Sequence, residues 1–183
     1  MAIGGIICSN NMGNDYTIGG GGTVTIGAAG SDMSIANRNF TIAATPNQLG
    51  ASQTWNVNSG RTLTVNNTLD FGGNALNLTG AGTVVFGNAF TGTGAWTIGA
   101  GITTKFNSGA FPANSITVNL GGVLDLNGIN ATPTSATIQL NGTGISSGGA
   151  LVNNNSGSPA IIGTPVVTLH SRLVARLSGF WPC

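Results

Sequence analysis

Short strand-like triplets recur along this chain at steps of 20 or 21 residues. Asn56-Val57-Asn58, Leu76-Asn77-Leu78, Trp96-Thr97-Ile98, Ile116-Thr117-Val118 and Thr137-Ile138-Gln139 follow one another at that interval. A second series runs beside the first: Thr62-Leu63-Thr64, Thr83-Val84-Val85, Ile102-Thr103-Thr104 and Val123-Leu124-Asp125. A fixed period of this size marks a stacked solenoid, in which each unit buries its apolar face only against its neighbours. No helix of useful length is patterned between residues 23 and 168.

The runs are three to five residues long, alternate in and out, and are separated by Gly or Asn, as in Gly80-Ala81-Gly82 before Thr83 and Gly121-Gly122 before Val123. Thr, Val and Ile suit strands, whereas Gly and Asn suit corners that need positive φ. The expected fold is therefore all-β, a parallel β-helix with coils of about 20 residues and two or three strands per coil. Seven to nine such coils fit in 183 residues. Leu63 and Val65, Leu76 and Leu78, Trp96 and Ile98, and Ile116 and Val118 are expected to point inward. Residues 1–22 read as an irregular Gly/Asn-rich segment, residues 23–168 as the β-helix, and residues 169–183 as an atypical tail. That tail holds the only His (His170), and its residues 171–178 read either as a short amphipathic cap or as part of a non-native end.

Charge is scarce. Only 5% of residues are charged, against roughly a quarter in ordinary soluble domains. The acids are Asp15, Asp32, Asp70 and Asp125, and the bases are Arg38, Arg61, Lys105, Arg172 and Arg176. Without a basic cluster, neither nucleic acid nor an anionic membrane surface is an expected partner. Regular apolar runs, with 40% hydrophobic residues, favour order over disorder. Cys8 and Cys183 sit at opposite ends, too far apart on a rod for a disulfide. The apolar start, Met1 to Cys8, lacks a basic segment and is too short to span a membrane, so an export signal is not expected within this chain.

Two stretches resemble a known family. Gln53-Thr54-Trp55-Asn56-Val57-Asn58-Ser59-Gly60-Arg61-Thr62-Leu63-Thr64-Val65, followed by Leu76-Asn77-Leu78-Thr79-Gly80-Ala81-Gly82-Thr83-Val84-Val85-Phe86-Gly87, is similar to autotransporter-associated β-strand repeats of bacterial surface proteins. Gly144 to Asn153 is similar to another segment common in those chains. The resemblance covers about residues 30–168. It implies a right-handed parallel β-helix exported to the cell surface or beyond, with no catalytic set to carry over. No barrel-like run with an aromatic girdle is present, so direct membrane insertion is not expected, and a fragment of a longer protein is.

The chemistry-bearing residues do not assemble into a site. Glycoside hydrolysis needs two carboxylates about 5–10 Å apart. Asp70 and Asp125, the acids of the regular region, lie between two and three repeats apart. Lys105, one coil before Asp125, suggests a surface ion pair. One His, two distant Cys and four scattered Asp make no metal cluster. Gly72-Gly73-Asn74-Ala75 lacks the Asp of a calcium-binding repeat, and Gly92-Thr93-Gly94 and Gly142-Thr143-Gly144 lack the third Gly of a dinucleotide loop. Trp55 and Trp96 alternate with Val57 and Ile98, which favours core packing over sugar stacking. Thr23/Thr25, Thr62/Thr64 and Thr91/Thr93 suggest an ice-binding array, but Thr83-Val84-Val85 and Val123-Leu124-Asp125 interrupt it. No catalytic, cofactor or metal residue is expected.

The functional expectation is a non-enzymatic stalk, scaffold or adhesin segment, secreted or on a cell surface. End-to-end self-association and adhesion to carbohydrate or a neighbouring surface are its expected interactions. A polysaccharide-binding or polysaccharide-cleaving β-helix and an ice-binding solenoid are the alternatives.

Overall fold

The structure, a computed structural model, describes residues 1–107, 115–130 and 137–160 and the backbone of 166–170. Its strands stack in parallel as a β-solenoid of about six turns, slightly fewer than the sequence suggests. One face is built from β1 (Ala2–Ile7), β3 (Val24–Met33), β6 (Gln53–Val57), β9 (Leu76–Gly80), β12 (Trp96–Ile98), β14 (Ile116–Val118), β16 (Thr137–Asn141) and β18 (Val166–His170). A second, seven-stranded sheet stacks β2 (Tyr16–Gly20), β4 (Phe40–Ala44), β7 (Thr62–Val65), β10 (Thr83–Phe86), β13 (Thr103–Phe106), β15 (Val123–Asp125) and β17 (Leu151–Val152). A shorter third face holds β5 (Asn47–Leu49), β8 (Leu69–Asp70) and β11 (Phe90–Thr91), joined to the first through the early residues of β3.

Alternation decides which residues enter the core. Leu63, Leu78, Trp96, Ile98, Ile116 and Val118 have no accessible surface, and Val65 and Leu76 retain almost none. Trp55 is likewise fully buried, as its place in the alternation predicts. Aromatic rings from successive coils meet along the axis. Phe86 lies 6.3 Å from Trp55, 5.1 Å from Trp96 and 6.3 Å from Phe106, and Phe71 stacks on Trp96 at 5.5 Å. The Trp55 indole N–H donates to Gln53 Oε1 at 2.8 Å, and Gln53 Nε2 donates to the Ile26 carbonyl at 2.9 Å. The buried indole thus keeps a polar partner that is itself anchored to the preceding coil.

The register departs from the 20-residue steps at several places. Leu76-Asn77-Leu78 lies opposite Gln53-Thr54-Trp55, not Asn56-Val57-Asn58. The sequence spacing would face Asn56 and Asn58 toward the core, whereas the observed pairing puts Trp55 opposite Leu78. Similarly, Ile116 pairs with Ile138 and Thr83 with Thr103, each one residue away from the spacing read in sequence. A one-residue slip turns every side chain to the other side of a strand, so core burial fixes the register against the arithmetic of the repeat.

Both ends differ from the sequence reading. The segment 1–22 contributes two strands: β1 pairs with β3, and β2 pairs with β4. Their glycines hid the alternation, yet Ile6 and Cys8 are buried. At the other end the ladder continues past residue 168, because Val166–His170 pairs residue by residue with Thr137–Asn141. The expected cap over 171–178, and Cys183, lie outside the described residues. The stretch from Gly144 makes a single 3₁₀ turn, Ile145–Ser147, before β17. Among the described residues, no helix is long and apolar enough to cross a membrane.

Corners require glycine where coils approach closely. Gly80 has φ +99°, and a Cβ there would collide with the Val57 carbonyl of the preceding coil. Gly60 has φ +68° but faces open space. Gly80→Ala is therefore expected to destabilise the fold by about 2 kcal/mol or more, and Gly60→Ala by about 1 kcal/mol or less. Paired denaturant melts of the two variants measure the difference; equal losses would contradict the close-approach account.

Candidate functional site

The four acids have the most capacity for chemistry, and each is engaged by the scaffold. Asp32, Asp70 and Asp125 act alike. The Oδ1 atom of each accepts from the backbone N–H two residues on, from Ser34 at 2.9 Å, Gly72 at 3.0 Å and Asn127 at 2.9 Å. Each such Asx turn bends the chain out of its strand and into a corner. Asp15 works between coils, accepting from the Asn39 N–H at 2.9 Å and Asn39 Nδ2 at 3.2 Å.

Asp70 and Asp125 are not brought together. Asp70 ends β8 on the third face, between Gln48 and Thr91, and Gln48 Nε2 donates to its Oδ2 at 3.2 Å. Thr25 Oγ1 in turn donates to Gln48 Oε1 at 3.2 Å, so three coils are linked through one polar chain. Asp125 lies on β15 of the second sheet. It does sit opposite Lys105, as the repeat suggests, but it is no surface ion-pair partner: it retains only 2% exposure. Its carboxylate receives the Asn154 N–H at 3.1 Å and Asn154 Nδ2 at 3.0 Å as well as the Asn127 N–H. Nearby, Asn127 Nδ2 donates to the Phe106 carbonyl at 2.8 Å, and Asn153 Oδ1 accepts from the Gly128 N–H at 2.7 Å. Sequence reasoning missed this amide shell. Its only signal is the clustered Asn153-Asn154-Asn155, separated from Asp125 by a coil longer than the rest.

The remaining candidates disperse. Cys8 is a buried free thiol. His170 lies on β18 opposite Asn141. Among the described residues, no three His, Cys, Asp or Glu side chains converge as metal ligands. Of the threonine pairs, Thr62 and Thr64 stand on β7 of the second sheet, whereas Thr25 and Thr91 belong to the β3–β5–β8–β11 face. Those pairs form no common plane. Four buried residues carry polar atoms without a partner among the described residues: Ser31, Asn47, Thr104 and Trp96. They sit on four different strands, β3, β5, β13 and β12.

The architecture defines the class of protein as a parallel β-helix. No protein-family model, curated protein or solved structure matches the chain.

Removing the Asp125 carboxylate would strand the Asn127 and Asn154 N–H groups in a nearly dry corner. Asp125→Ala is expected to cost about 2–3 kcal/mol and to raise amide exchange selectively around residues 124–128 and 150–155. Hydrogen–deuterium exchange mass spectrometry checks this; uniform change along the rod would contradict it.

Titration follows from the same contacts. The hydrogen bonds from Asn39 hold the Asp15 carboxyl below its ordinary value, with Arg38 and Arg61 assisting. Those from Ser34 do the same for Asp32. A carboxyl lowered in the folded state contributes stability above its unfolded value and loses it as pH falls through the folded one. Burial, and then the Asp32 charge, push the Cys8 thiol above its ordinary value. A raised thiol stabilises below its unfolded value and loses that contribution as pH rises through the folded one. Melting temperature is thus expected to be flat between about pH 5 and 8 and to fall on either side, with Cys8→Ala reducing the loss that sets in as pH rises past the ordinary thiol value of about 8.5. A pH series of thermal melts gives both limbs.

Proposed function

We propose that the chain is a non-enzymatic stalk or scaffold segment of a secreted or cell-surface β-helix protein, of the passenger kind its repeats resemble. The observation that carries this reading is the commitment of all four acids to turns and inter-coil contacts. Asp70 and Asp125, the acids of the regular region, stand on different faces rather than across a cleft from one another. Two basic side chains follow the same pattern: Arg38 Nε donates to the Gly13 carbonyl and Arg61 Nη1 to the Asn37 carbonyl, both at 3.2 Å. A molecule whose few charges tie one coil to the next is organised for length and stiffness. The continuity of the ladder supports the same reading, and the acids carry it because fold alone does not assign activity.

Catalysis is the reading to test against. The full chain is expected to release no reducing ends and no unsaturated products from neutral or acidic polysaccharides, and Asp70→Asn and Asp125→Asn are expected to behave as the parent does. Turnover by the parent that disappears in either variant, with circular dichroism unchanged, would overturn the scaffold reading.

A further inference from the structure

The outer sides of the three faces differ in chemistry. On the third, Thr25, Gln48 and Asp70 are bonded to one another and include a charge. On the second, successive coils place Thr41, Thr64, Val85, Lys105 and Asp125 in one column, which passes from hydroxyl to aliphatic to charged. The first face carries an uninterrupted column. Thr54 lies opposite Asn77, Asn77 opposite Thr97, Thr97 opposite Thr117, and Thr117 opposite Gln139. Two residues further along the strands a second, mixed column runs from Ile7 through Asp32 to Asn56 and Thr79, so it carries an aliphatic and a charged residue on its first two coils; Asn119 takes the corresponding place after Val118. The residues between these columns, such as Leu78, Ile98 and Val118, are fully buried, so both columns stand on the outer side.

Every member of the first column is a hydroxyl or an amide, and none is charged or aliphatic. Thr54 and Gln139 are exposed, with Asn77, Thr97 and Thr117 half-buried between them. Their polar groups are largely uncommitted. Thr117 Oγ1 donates to Gln139 Oε1 at 3.4 Å, whereas the side chains of Asn77 and Thr97 have no hydrogen-bond partner among the described residues.

Such a face selects its partner by chemistry and by repeat. Hydrogen-bonding groups recur about every 4.8 Å along the rod, the spacing of neighbouring strands. An amide presents a donor and an acceptor side by side, and a hydroxyl presents either. The matching partner is neutral, offers donors and acceptors along its length, and repeats at a comparable interval. A polyanion would bring a charge per residue to a column without a cation. An apolar partner would meet no aliphatic side chain in the first column, and only Ile7 at the start of the second. We propose that the outer face of the first sheet binds a neutral, extended β-1,4-linked glycan lying along the rod, with about one sugar residue per coil. Each hydrogen bond contributes little net free energy, so affinity comes from many coils acting together. This role is additional to the scaffold role, which survives if the glycan does not bind.

The test uses the full chain, with insoluble cellulose in depletion assays and cello-oligosaccharides of increasing length in titrations. Thr97→Lys with Thr117→Lys blocks the face; Thr62→Lys with Thr83→Lys places equal charge on the second sheet. Affinity is expected to rise with oligosaccharide length. It is expected to fall about tenfold in the first pair, which removes two hydroxyl contacts, and to stay unchanged in the second. If the lysine pair disturbs the circular dichroism spectrum, Thr97→Val with Thr117→Val removes the same hydroxyls without charge and is expected to weaken binding in the same direction. Absence of retention on cellulose and of oligosaccharide binding would overturn the proposal. So would equal losses in both lysine pairs, or ice shaping by a chain that binds no glycan.

Discussion

Every coil of this rod depends on the parallel backbone ladder to the coil before it. A single coil has too little apolar surface to fold alone, since its inward side chains find cover only in the coils above and below. The ladder supplies alignment and the core supplies the driving force. Phe86 illustrates the coupling: it belongs to β10 but packs on Trp55, Trp96 and Phe106, which come from three other strands. Stability is consequently a nearest-neighbour quantity. Damage at Gly80 is felt first where β6 and β9 meet, because that is where a Cβ would collide.

The architecture was legible because alternation is a local property. Leu63, Leu76, Trp96 and Ile116 declared their inward direction through their immediate neighbours, and each is buried as read. Register was less legible because it is a relation between coils of unequal length. Trp96 meets Ile116 after 20 residues, but Leu124 meets Leu151 after 27, and no fixed period spans both. The insertions fall in corners, where added residues cost little loop entropy. The first 22 residues were opaque for another reason. Gly4, Gly5, Gly19 and Gly20 carry no side chain to alternate, so β1 and β2 show in the pairing but hardly in the pattern.

The acids show where reasoning from residue type stops. Asp125 stands in sequence among Val123, Leu124 and Leu126, and nothing there indicates whether its carboxylate faces water or protein. Its partners, Asn127 and Asn154, are two and twenty-nine positions away, and only the closing of the coil joins them. The polar column on the first face was hidden in the same way. Thr54, Asn77 and Gln139 look unrelated in a linear reading, and become one surface once Trp55, Leu78 and Leu140 have turned inward.

The scarcity of charge has a physical cause in the same stacking. Equivalent positions on successive coils lie about 4.8 Å apart. Two like charges at that distance repel by about 1 kcal/mol in water and by several times more at the lower effective dielectric of a protein surface. A charged residue repeated in every coil would accumulate that penalty along the rod, whereas a repeated Thr or Asn does not. Three of the charges that remain obey this limit, whereas Arg38 and Arg61 take equivalent positions on successive coils, each donating to a carbonyl of the coil before it. Asp70 lies between Gln48 and Thr91, Asp32 between Ile7 and Asn56, and Lys105 between Val85 and Asp125. None of the three has a like charge as its strand neighbour. The repeat therefore disfavours recurring charge before any ligand is considered, and it leaves hydroxyl and amide groups as the main means by which such a surface recognises anything.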